Sequence, residues 1–367
     1  MRTNLRDILA PLAALLAAVL LTGCWERPPV TSVQNGYRGL GMVGVYNPRT
    51  LETQMPGNAI PAALPEAAPG APLGTTVYKN IQVLKDLSLT EHVRLMTAFT
   101  LWVAPKDQGC AYCHDLADFS LDTKYTKVVA RRMIQLTRDL NTNWKSHVAS
   151  SGAPGAGVTC HTCHRGQPVP ANIWFTDPGP KSVKGPAGGR NGQNLPAAAV
   201  GLTSMAYDPF TTFLTGKPEQ IRVIAPTALP VSGASTRNIM QTEATYSLMF
   251  HLSSALGVNC TYCHNSRSFA SWEGPPQRAF AWYGIQMVRE INTAYLEPLG
   301  KALPAKRLGP TGDAPKANCA TCHQGAFKPL YGVPQLLDYP ELAGPKAIPV
   351  TSAAVPDAAR KKPAAKS

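Results

Sequence analysis

The amino-acid sequence predicts a mainly α-helical protein made of two similar halves, with long irregular segments before, between and after them. Apolar residues recur at helical spacing in four stretches, for example at Leu248, Leu252 and Leu256. Residues 138–144 (RDLNTNW) match residues 289–295 (REINTAY), which indicates an internal duplication. Proline (34) and glycine (30) are concentrated outside these stretches, which predicts that the rest of the chain is irregular.

The order of elements repeats in the two halves. Each half has a helical stretch, a Cys-x-x-Cys-His motif, a second helical stretch and a second motif. The predicted helical stretches are 87–103 and 125–150 in the first half, and 237–256 and 277–299 in the second. Between the halves, 207–213 and 221–224 are candidates for short strands or turns.

The remaining boundaries follow from composition. We expect a signal peptide at 1–23, an extended arm at 24–74, a first half at 75–170, a connecting segment at 171–236, a second half at 237–344, and a disordered basic tail at 345–367.

The N-terminus predicts export. Arg2 and Arg6 precede an apolar run over 8–21, which is too short to span a bilayer and is typical of a signal-peptide core. The run ends in Leu-Thr-Gly-Cys24, which resembles a bacterial lipobox, so we expect Cys24 to become a diacylated N-terminus that anchors the protein to the membrane. An ordinary secretory signal followed by a chance cysteine is the alternative. Because no later apolar stretch has membrane-spanning length, we expect a periplasmic protein that lies on the membrane.

Four Cys-x-x-Cys-His motifs carry the clearest chemical signal. Cys-x-x-Cys-His is the attachment signal of c-type haem: two cysteines one helical turn apart form thioethers to one porphyrin, and the adjacent histidine reaches the iron. With Cys24 set aside, the motifs use all eight remaining cysteines and leave none for a structural disulfide: Cys110, Cys113 and His114; Cys160, Cys163 and His164; Cys260, Cys263 and His264; Cys319, Cys322 and His323. The sequence therefore predicts four covalently bound c-type haems.

Zinc and redox-dithiol sites also use paired cysteines. A zinc interpretation would require the pairs to combine into four-cysteine sites, and it leaves the histidine after each pair unexplained. Four copies behind an export signal favour haem.

The net charge of the chain says little about its binding partners. The formal net charge is +13, and the tail contributes part of it through Lys346, Arg360, Lys361, Lys362 and Lys366. Eight haem propionates would offset much of the remainder. No basic stripe interleaved with aromatic residues is present, so nothing predicts nucleic-acid binding.

A second axial ligand is expected for each iron. Met96, Met133 and Met249 lie on the helical stretches just before the first three motifs, where a helix folded back could present sulfur to the iron. For an isolated methionine, core packing is the ordinary explanation. A methionine at this position before three of the four motifs favours ligation of the haem iron.

The fourth motif breaks this pattern. The alignment of the halves places Gly284 opposite Met133, and Met287 opposite Leu136, so the fourth iron needs a ligand from outside its own repeat. Four histidines lie outside the motifs. His92 and His161 are expected at the surface, and His251 follows the proposed ligand Met249. That leaves His147, either as the distal ligand of the fourth haem or as a solvent-facing side chain.

With these residues in place, the chain resembles the tetrahaem cytochrome subunit of the photosynthetic reaction centres of purple bacteria. Besides the lipobox and the paired motifs, the similarity is carried by GYRGL at 36–40, VYKN at 77–80, WVAP at 102–105, VARRM at 129–133, NTNWKSH at 141–147, YDPF at 207–210 and DYPEL at 338–342.

The resemblance implies a ligand set and a function. In that family the first three haems have His/Met ligation and the fourth is bis-His. This pairs Met96 with His114, Met133 with His164, Met249 with His264, and His147 with His323. It further implies an electron carrier, not an enzyme, that re-reduces the photo-oxidised bacteriochlorophyll special pair held by the L and M subunits. Electrons would come from a soluble periplasmic donor, such as a small cytochrome c or a high-potential iron-sulfur protein.

Two other functions use similar parts. A multihaem reductase would need one iron with an open coordination position and acid/base groups beside it. A lipoprotein electron wire serving a respiratory complex shares the chemistry and differs only in its partner.

Overall fold

The computed structural model describes residues 16–18, 30–34, 43–149, 156–178, 197–224 and 237–344. Most of the expected signal peptide, the lipobox Cys24, and the tail at 345–367 lie outside these residues.

The described part of the chain is mainly helical, as the sequence predicts. In chain order the elements are β1 Thr31–Gln34, β2 Val43–Tyr46, α1 Pro48–Gln54, α2 Leu89–Val103, α3 Tyr125–Asn143, α4 Lys145–Val148, α5 Cys160–His164, α6 Pro209–Phe213, α7 Ile239–Leu256, α8 Gln277–Glu290, α9 Cys319–His323 and α10 Gln335–Asp338. Strands β1 and β2 form an antiparallel pair with Thr31 opposite Tyr46.

The long helices begin at capping residues in the sequence. The Ser88 side chain accepts from the backbone N–H of Glu91, and the Glu91 carboxylate accepts from the N–H of Ser88 at 2.8 Å. Asn238 and Gln241 form the same reciprocal pair at the start of α7. Because the first amides of a helix have no partner within it, these side chains fix where α2 and α7 start.

The predicted helical stretches are confirmed with two differences. The stretch at 125–150 divides at Trp144 into α3 and the short α4. The stretch at 277–299 is α-helical only to Glu290. It continues as a π-helix over Ile291–Leu296 and as a 3-10 helix over Glu297–Lys301. Pro298 lacks a backbone N–H, so the α-helical hydrogen-bond pattern cannot continue through it.

Two irregular segments also differ from expectation. The segment 207–213, a candidate for a short strand or turn, contains the helix α6. The Asp208 carboxylate accepts from the amides of Phe210 and Thr211, and Pro209 takes the first helical position. The arm expected at 24–74 contains β1, β2 and α1 within its described residues.

The segments after the second and fourth motifs each pack on the opposite half. Phe213 and Leu214, which follow the first half, accept hydrogen bonds from Arg289 and Asn292 of the second. At the C-terminal end, the carbonyls of Glu341 and Leu342 accept from Arg138 and Asn141 of the first. The two halves are thus held together by exchanged segments, and a boundary drawn along the chain does not separate them in space.

Three apolar clusters form the core. One joins α2 and α3 to the C-terminal segment through Leu95, Trp102, Ile134 and Leu342. The second joins α6, α7 and α8 through Phe213, Leu248 and Ile285. The third lies between α3 and the helix that follows α8, and contains Leu140, Met287, Ile291 and Ala317.

Candidate haem-binding sites

The first and third motifs adopt one local structure. Both begin with a 3-10 turn, over Gly109–Tyr112 and Cys260–Tyr262. The ring of His114 stacks on Phe119 with centroids 4.9 Å apart, and the ring of His264 stacks on Phe269 at 5.2 Å. Each ring therefore has one face covered by an aromatic residue five positions further along the chain.

The second and fourth motifs adopt a different structure. Both form short helices, α5 and α9, each ending at a residue with positive φ, Arg165 and Gln324. In each motif, a threonine accepts a hydrogen bond from the residue that precedes the first cysteine. Thr162 Oγ1 accepts from the N–H of Thr159, and Thr321 Oγ1 accepts from the N–H of Asn318, both at 2.9 Å.

All four motif histidines have Nδ1 within hydrogen-bonding distance of a backbone carbonyl. The distances are 3.2 Å for His114 to Phe119 O, 2.9 Å for His164 to Gln167 O, 2.8 Å for His264 to Phe269 O and 2.9 Å for His323 to Ala326 O. Because a carbonyl only accepts, Nδ1 carries the proton and Nε2 keeps a free lone pair. This is the arrangement found around metal-binding histidines, whose other ring nitrogen is held by the protein.

Burial keeps these rings neutral. It lowers the pKa of His114, His164 and His264, and it lowers the pKa of His323 to about 4, with a further contribution from the neighbouring His147. A neutral imidazole is the form that binds a metal.

Two of the proposed methionine ligands share a cavity with their histidines. A cavity of about 850 Å³ is lined by Met96 and His114 of the first site and by Met133 and His164 of the second, together with Cys110, Cys113 and Cys160. Its volume is in the range of cofactor pockets. The structure therefore brings together the residues that the sequence pairs at the first two motifs.

Met249 lies on α7, which leads into the third motif. It packs against the cluster that contains Leu248 and Phe213. Helix α7 ends at Gly257, which has φ +64° and no room for a Cβ because Gly325 O lies against it. The amide of Gly325 donates to Ala255 O at 2.8 Å, which ties the end of α7 to the fourth motif.

His147 lies beside His323, although the two are far apart in the chain. Their ring centroids are 6.1 Å apart, and the ring planes make an angle of 69°. An imidazole nitrogen binds a transition metal at about 2 Å and lies about 1.1 Å from its ring centre, so two rings on one metal are roughly 6 Å apart. The centroid distance of the pair matches this separation, and the His147 ring is held through its Nδ1 by Phe280 O at 2.8 Å.

The other three histidines are buried or partly buried, whereas a surface position was expected for His92 and His161. His161 is 9% exposed and contacts Ala59 O through Nε2 at 3.2 Å, so the prediction of a surface position is wrong for it. Buried His251 approaches Ala199 O through Nδ1 at 2.8 Å, and its Nε2 has no hydrogen-bond partner among the described residues. His92 is partly buried and lines the 850 Å³ cavity.

The second and fourth motifs are in direct contact. The Arg165 guanidinium donates to Cys322 O at 3.0 Å, and the Gln324 amide donates to Cys163 O at 3.4 Å. These two residues occupy the same position after their motifs, so the contact is reciprocal. The sequence pattern does not reveal it.

Cys163 and Cys322 are joined by a disulfide in this structure, with their Cα atoms 4.2 Å apart. This differs from the expectation that no disulfide forms and that both sulfurs bind haem. The physical reason is the close packing of α5 and α9, which places the second cysteines of two motifs side by side. A sulfur in a disulfide cannot also form a thioether, so the two arrangements exclude each other.

The burial of two motif cysteines disfavours a redox-dithiol site. Among the described residues, no group of three or more His, Cys, Asp or Glu side chains is suited to hold a metal ion. Burial raises the pKa of Cys160 and Cys319 to about 12, whereas a reactive dithiol needs a lowered thiol pKa.

Two buried asparagines support the motifs, and the sequence analysis did not single them out. Asn141 Oδ1 accepts from the amide of Val158 at 2.8 Å, and Asn292 Oδ1 accepts from that of Ala317 at the same distance. Val158 and Ala317 each lie two residues before the first cysteine of a motif. The signal was present in the sequence, because both asparagines belong to the duplicated segment.

Comparison with known proteins gives a consistent result. The sequence model of a family described as "Photosynthetic reaction centre cytochrome C subunit" matches residues 26–343. Proteins named photosynthetic reaction center cytochrome c subunit are similar along most of their length. The one from Rubrivivax gelatinosus is 53% identical over 93% of this chain and 90% of its own. The one from Thermochromatium tepidum is 45% identical over 92% and 81%, and the one from Roseobacter denitrificans 40% over 90% and 90%. Among the described helices, none is long and apolar enough to cross a membrane.

Proposed function

Because the chain belongs to the family of photosynthetic reaction-centre cytochrome c subunits, we propose that it re-reduces the photo-oxidised bacteriochlorophyll special pair with electrons from a soluble periplasmic donor. The observation that carries the proposal is the common arrangement of the four motif histidines, each with Nδ1 held by a backbone carbonyl and Nε2 free. Each haem, when bound, supplies an iron that changes between the ferric and ferrous states.

The chain would hold four haems in the state without the Cys163–Cys322 disulfide. Thioethers would form at Cys110, Cys113, Cys160, Cys163, Cys260, Cys263, Cys319 and Cys322. The axial pairs would be Met96 with His114, Met133 with His164, Met249 with His264, and His147 with His323. Every iron then has two protein ligands, which favours electron transfer over binding of a substrate.

The order of the haems follows from the packing of their motifs. Because α5 and α9 are in contact, the second and fourth haems would be adjacent to each other. Helix α2, which carries Met96, packs on α5, and helix α7, which carries Met249, packs on α9. The proposed order is therefore first, second, fourth, third. The family resemblance further implies that the third haem lies nearest the special pair and that the first faces the donor.

The same contacts support two pseudo-symmetric haem-pair halves. The central cluster contains Leu140 and Ile291 together with Leu136 and Met287, and each of these two sets occupies equivalent positions in the predicted duplication. Arg165 and Gln324, which are also at equivalent positions, each donate to the motif of the other half.

Location and partners complete the proposal. The partners are the L and M subunits that carry the special pair, and a soluble donor such as a small cytochrome c or a high-potential iron-sulfur protein. The chain would lie on the periplasmic face of the photosynthetic membrane, anchored through acylated Cys24.

Low-temperature EPR of the oxidised protein, combined with a redox titration, tests the function. We expect four low-spin haems in two classes of potential, and four haem masses on the denatured chain. A high-spin haem that exchanges an added ligand would contradict the carrier function and favour a reductase. If all four haems are low-spin but flash-oxidised reaction centres are not re-reduced, the respiratory wire is favoured instead.

A further inference from the structure

A glycine in the interior of α8 lies directly against the ring of His147. Gly284 is buried, and a Cβ built on it would lie 2.6 Å from Cε1, 2.9 Å from Nδ1 and 3.1 Å from Nε2 of His147. Carbon atoms do not approach a rigid ring this closely. The imidazole therefore occupies the space that a side chain at position 284 would fill.

The ring is fixed in this place by two further contacts. Its Nδ1 is held by Phe280 O at 2.8 Å, and Phe280 precedes Gly284 by one turn of the same helix. The ring of His323 is its neighbour, with 6.1 Å between the two ring centroids. If the ring moved away from α8, it would lose both the hydrogen bond and its position opposite His323.

Close helix packing does not account for the glycine. Glycine is unfavourable inside a helix, so a glycine at such a position requires a reason. The three atoms nearest to the missing Cβ all belong to the His147 ring, and none belongs to a neighbouring backbone.

The duplication shows what the other half has at this position. Asn141 and Asn292 make equivalent bonds to the residues before the second and fourth motifs, which fixes the register of α3 against α8. In that register, Met133 corresponds to Gly284. Met133 lines the same cavity as His164.

We infer that residue 284 determines which type of axial ligand reaches the fourth haem. Glycine admits His147 from the other half of the molecule. Methionine at this position would close the space to His147 and offer its own sulfur, as Met133 is proposed to do at the second haem. The inference rests on the proposed function, since it assigns the selection of a ligand at one of the proposed haems.

Two substitutions in the full haem-loaded protein test it. Gly284→Ala should displace His147 and remove the bis-His signal of one haem from the EPR spectrum. Gly284→Met should replace that signal with a His/Met signal, add a sulfur-to-iron charge-transfer absorption band, and raise the potential of the fourth haem. Gly300→Ala is the matched control, because its Cβ would lie 3.9 Å from the nearest side-chain atom, an ordinary contact. It should leave all four signals unchanged.

A double variant separates ligand exchange from damage to the fold. Combining His147→Ala with Gly284→Met removes the clash, so this protein should show the same His/Met spectrum and the same raised potential as Gly284→Met alone. Failure of the double variant to show methionine ligation would overturn the inference, and so would an unchanged bis-His signal in Gly284→Ala.

The haem content of the unmodified chain distinguishes a failure of the proposed function from a failure of the inference about residue 284. Fewer than four haem masses, or no bis-His signal before any substitution, would contradict the proposed function itself. Four haems with a bis-His signal that no change at position 284 alters would leave the function standing and refute this inference alone.

Discussion

At the scale of single residues, His147 is the proposed second ligand of the fourth haem. It reaches His323 from the other half of the chain, at 6.1 Å between ring centroids. Two nitrogen ligands give an iron a lower potential than one nitrogen and one thioether sulfur. The fourth haem is therefore expected to have a lower potential than its neighbours.

Replacing His147 with methionine should raise the potential of the fourth haem, because a thioether stabilises ferrous iron relative to an imidazole. A redox titration followed at several wavelengths measures the four potentials together, so the other three haems serve as the internal control. An unchanged potential at the fourth haem would refute the assignment of His147.

Asp313 is a charged residue whose stabilising effect depends on pH. Partial burial alone would raise the pKa of its carboxyl, but bonds from Lys316, from the Thr176 amide at 2.8 Å and from Thr311 outweigh this and hold the pKa at about 2. The folded pKa lies below the unfolded value of 3.8, so the stabilisation is complete above that value and is lost as the pH falls towards 2.

Asp313→Asn should therefore lower the free energy of unfolding by about 2 kcal/mol at neutral pH. The difference from the natural chain should shrink as the pH falls below about 4, because the natural carboxyl then becomes protonated. Urea unfolding between pH 2 and 7 measures it, with exposed Asp107→Asn as control. A difference that stays constant across this range would contradict the role of the carboxylate.

At the scale of elements, buried asparagines connect helices to motifs. Asn292 is fully buried, and its amide donates to Leu214 O at 2.9 Å and to Ala317 O at 3.0 Å while accepting from the Ala317 amide. One side chain thereby links three elements: the helix that follows α8, the segment after α6 and the residues before α9.

Asn292→Ala should cost about 3 kcal/mol, because it leaves buried backbone groups without partners. Denaturant unfolding followed by circular dichroism measures the loss, and Gln108→Ala at an exposed position is the control. A loss no larger than that of the control would show that water or a shifted backbone replaces the amide.

The C-terminal segment is fixed to the first half by Arg94. Its guanidinium pairs with Glu341 at 3.2 Å, donates to three backbone carbonyls including Asp338 O at 2.7 Å, and lies over the Tyr339 ring. Both charged side chains of the pair are 6% exposed. Removing one member leaves the other as an unpaired buried charge.

We expect Arg94→Ala to destabilise the fold by about 3–5 kcal/mol. The exposed Lys106→Ala, which removes the same charge at the surface, should change the stability by less than about 0.5 kcal/mol. Guanidinium-induced unfolding measures the stability of the two variants. An equal loss of stability in both would mean that the C-terminal segment is not held through Arg94.

For the whole molecule, the pairing of Cys163 with Cys322 and the attachment of haem are alternative outcomes. The close approach of α5 and α9 makes the disulfide possible in a chain without haem. The proposed attachment of the second and fourth haems would use the same sulfurs.

Mass spectrometry of the two forms tests this exclusion. The chain produced without haem attachment, once oxidised, should yield a peptide pair linked through Cys163 and Cys322, whereas the haem-loaded chain should yield none. A Cys163→Ser chain is the control for the linked peptide. Linked peptides from a protein that carries four haems would contradict the thioether assignment.

The local elements were predictable from the sequence because their signals are local. The caps at Ser88 and Asn238, the helical spacing of α7 and the motif chemistry all depend on residues within a few positions of one another. The short strand or turn predicted at 207–213 is instead a helix, because the capping by Asp208 and the fixed φ of Pro209 outweighed a short apolar pattern.

Residue type and spacing along the chain were enough to predict the mainly α-helical class and c-type haem as the cofactor, and the structure and the family support both. The internal duplication, which rests on the same spacing, stays a prediction. The tertiary structure decided which residues meet across the duplication: His147 with His323, Gly284 with His147, Cys163 with Cys322, and the exchanged segments at Leu214 and Leu342. These contacts join residues far apart in the chain, and their formation depends on the packing of whole helices against one another. Spacing along the sequence carries no record of that packing.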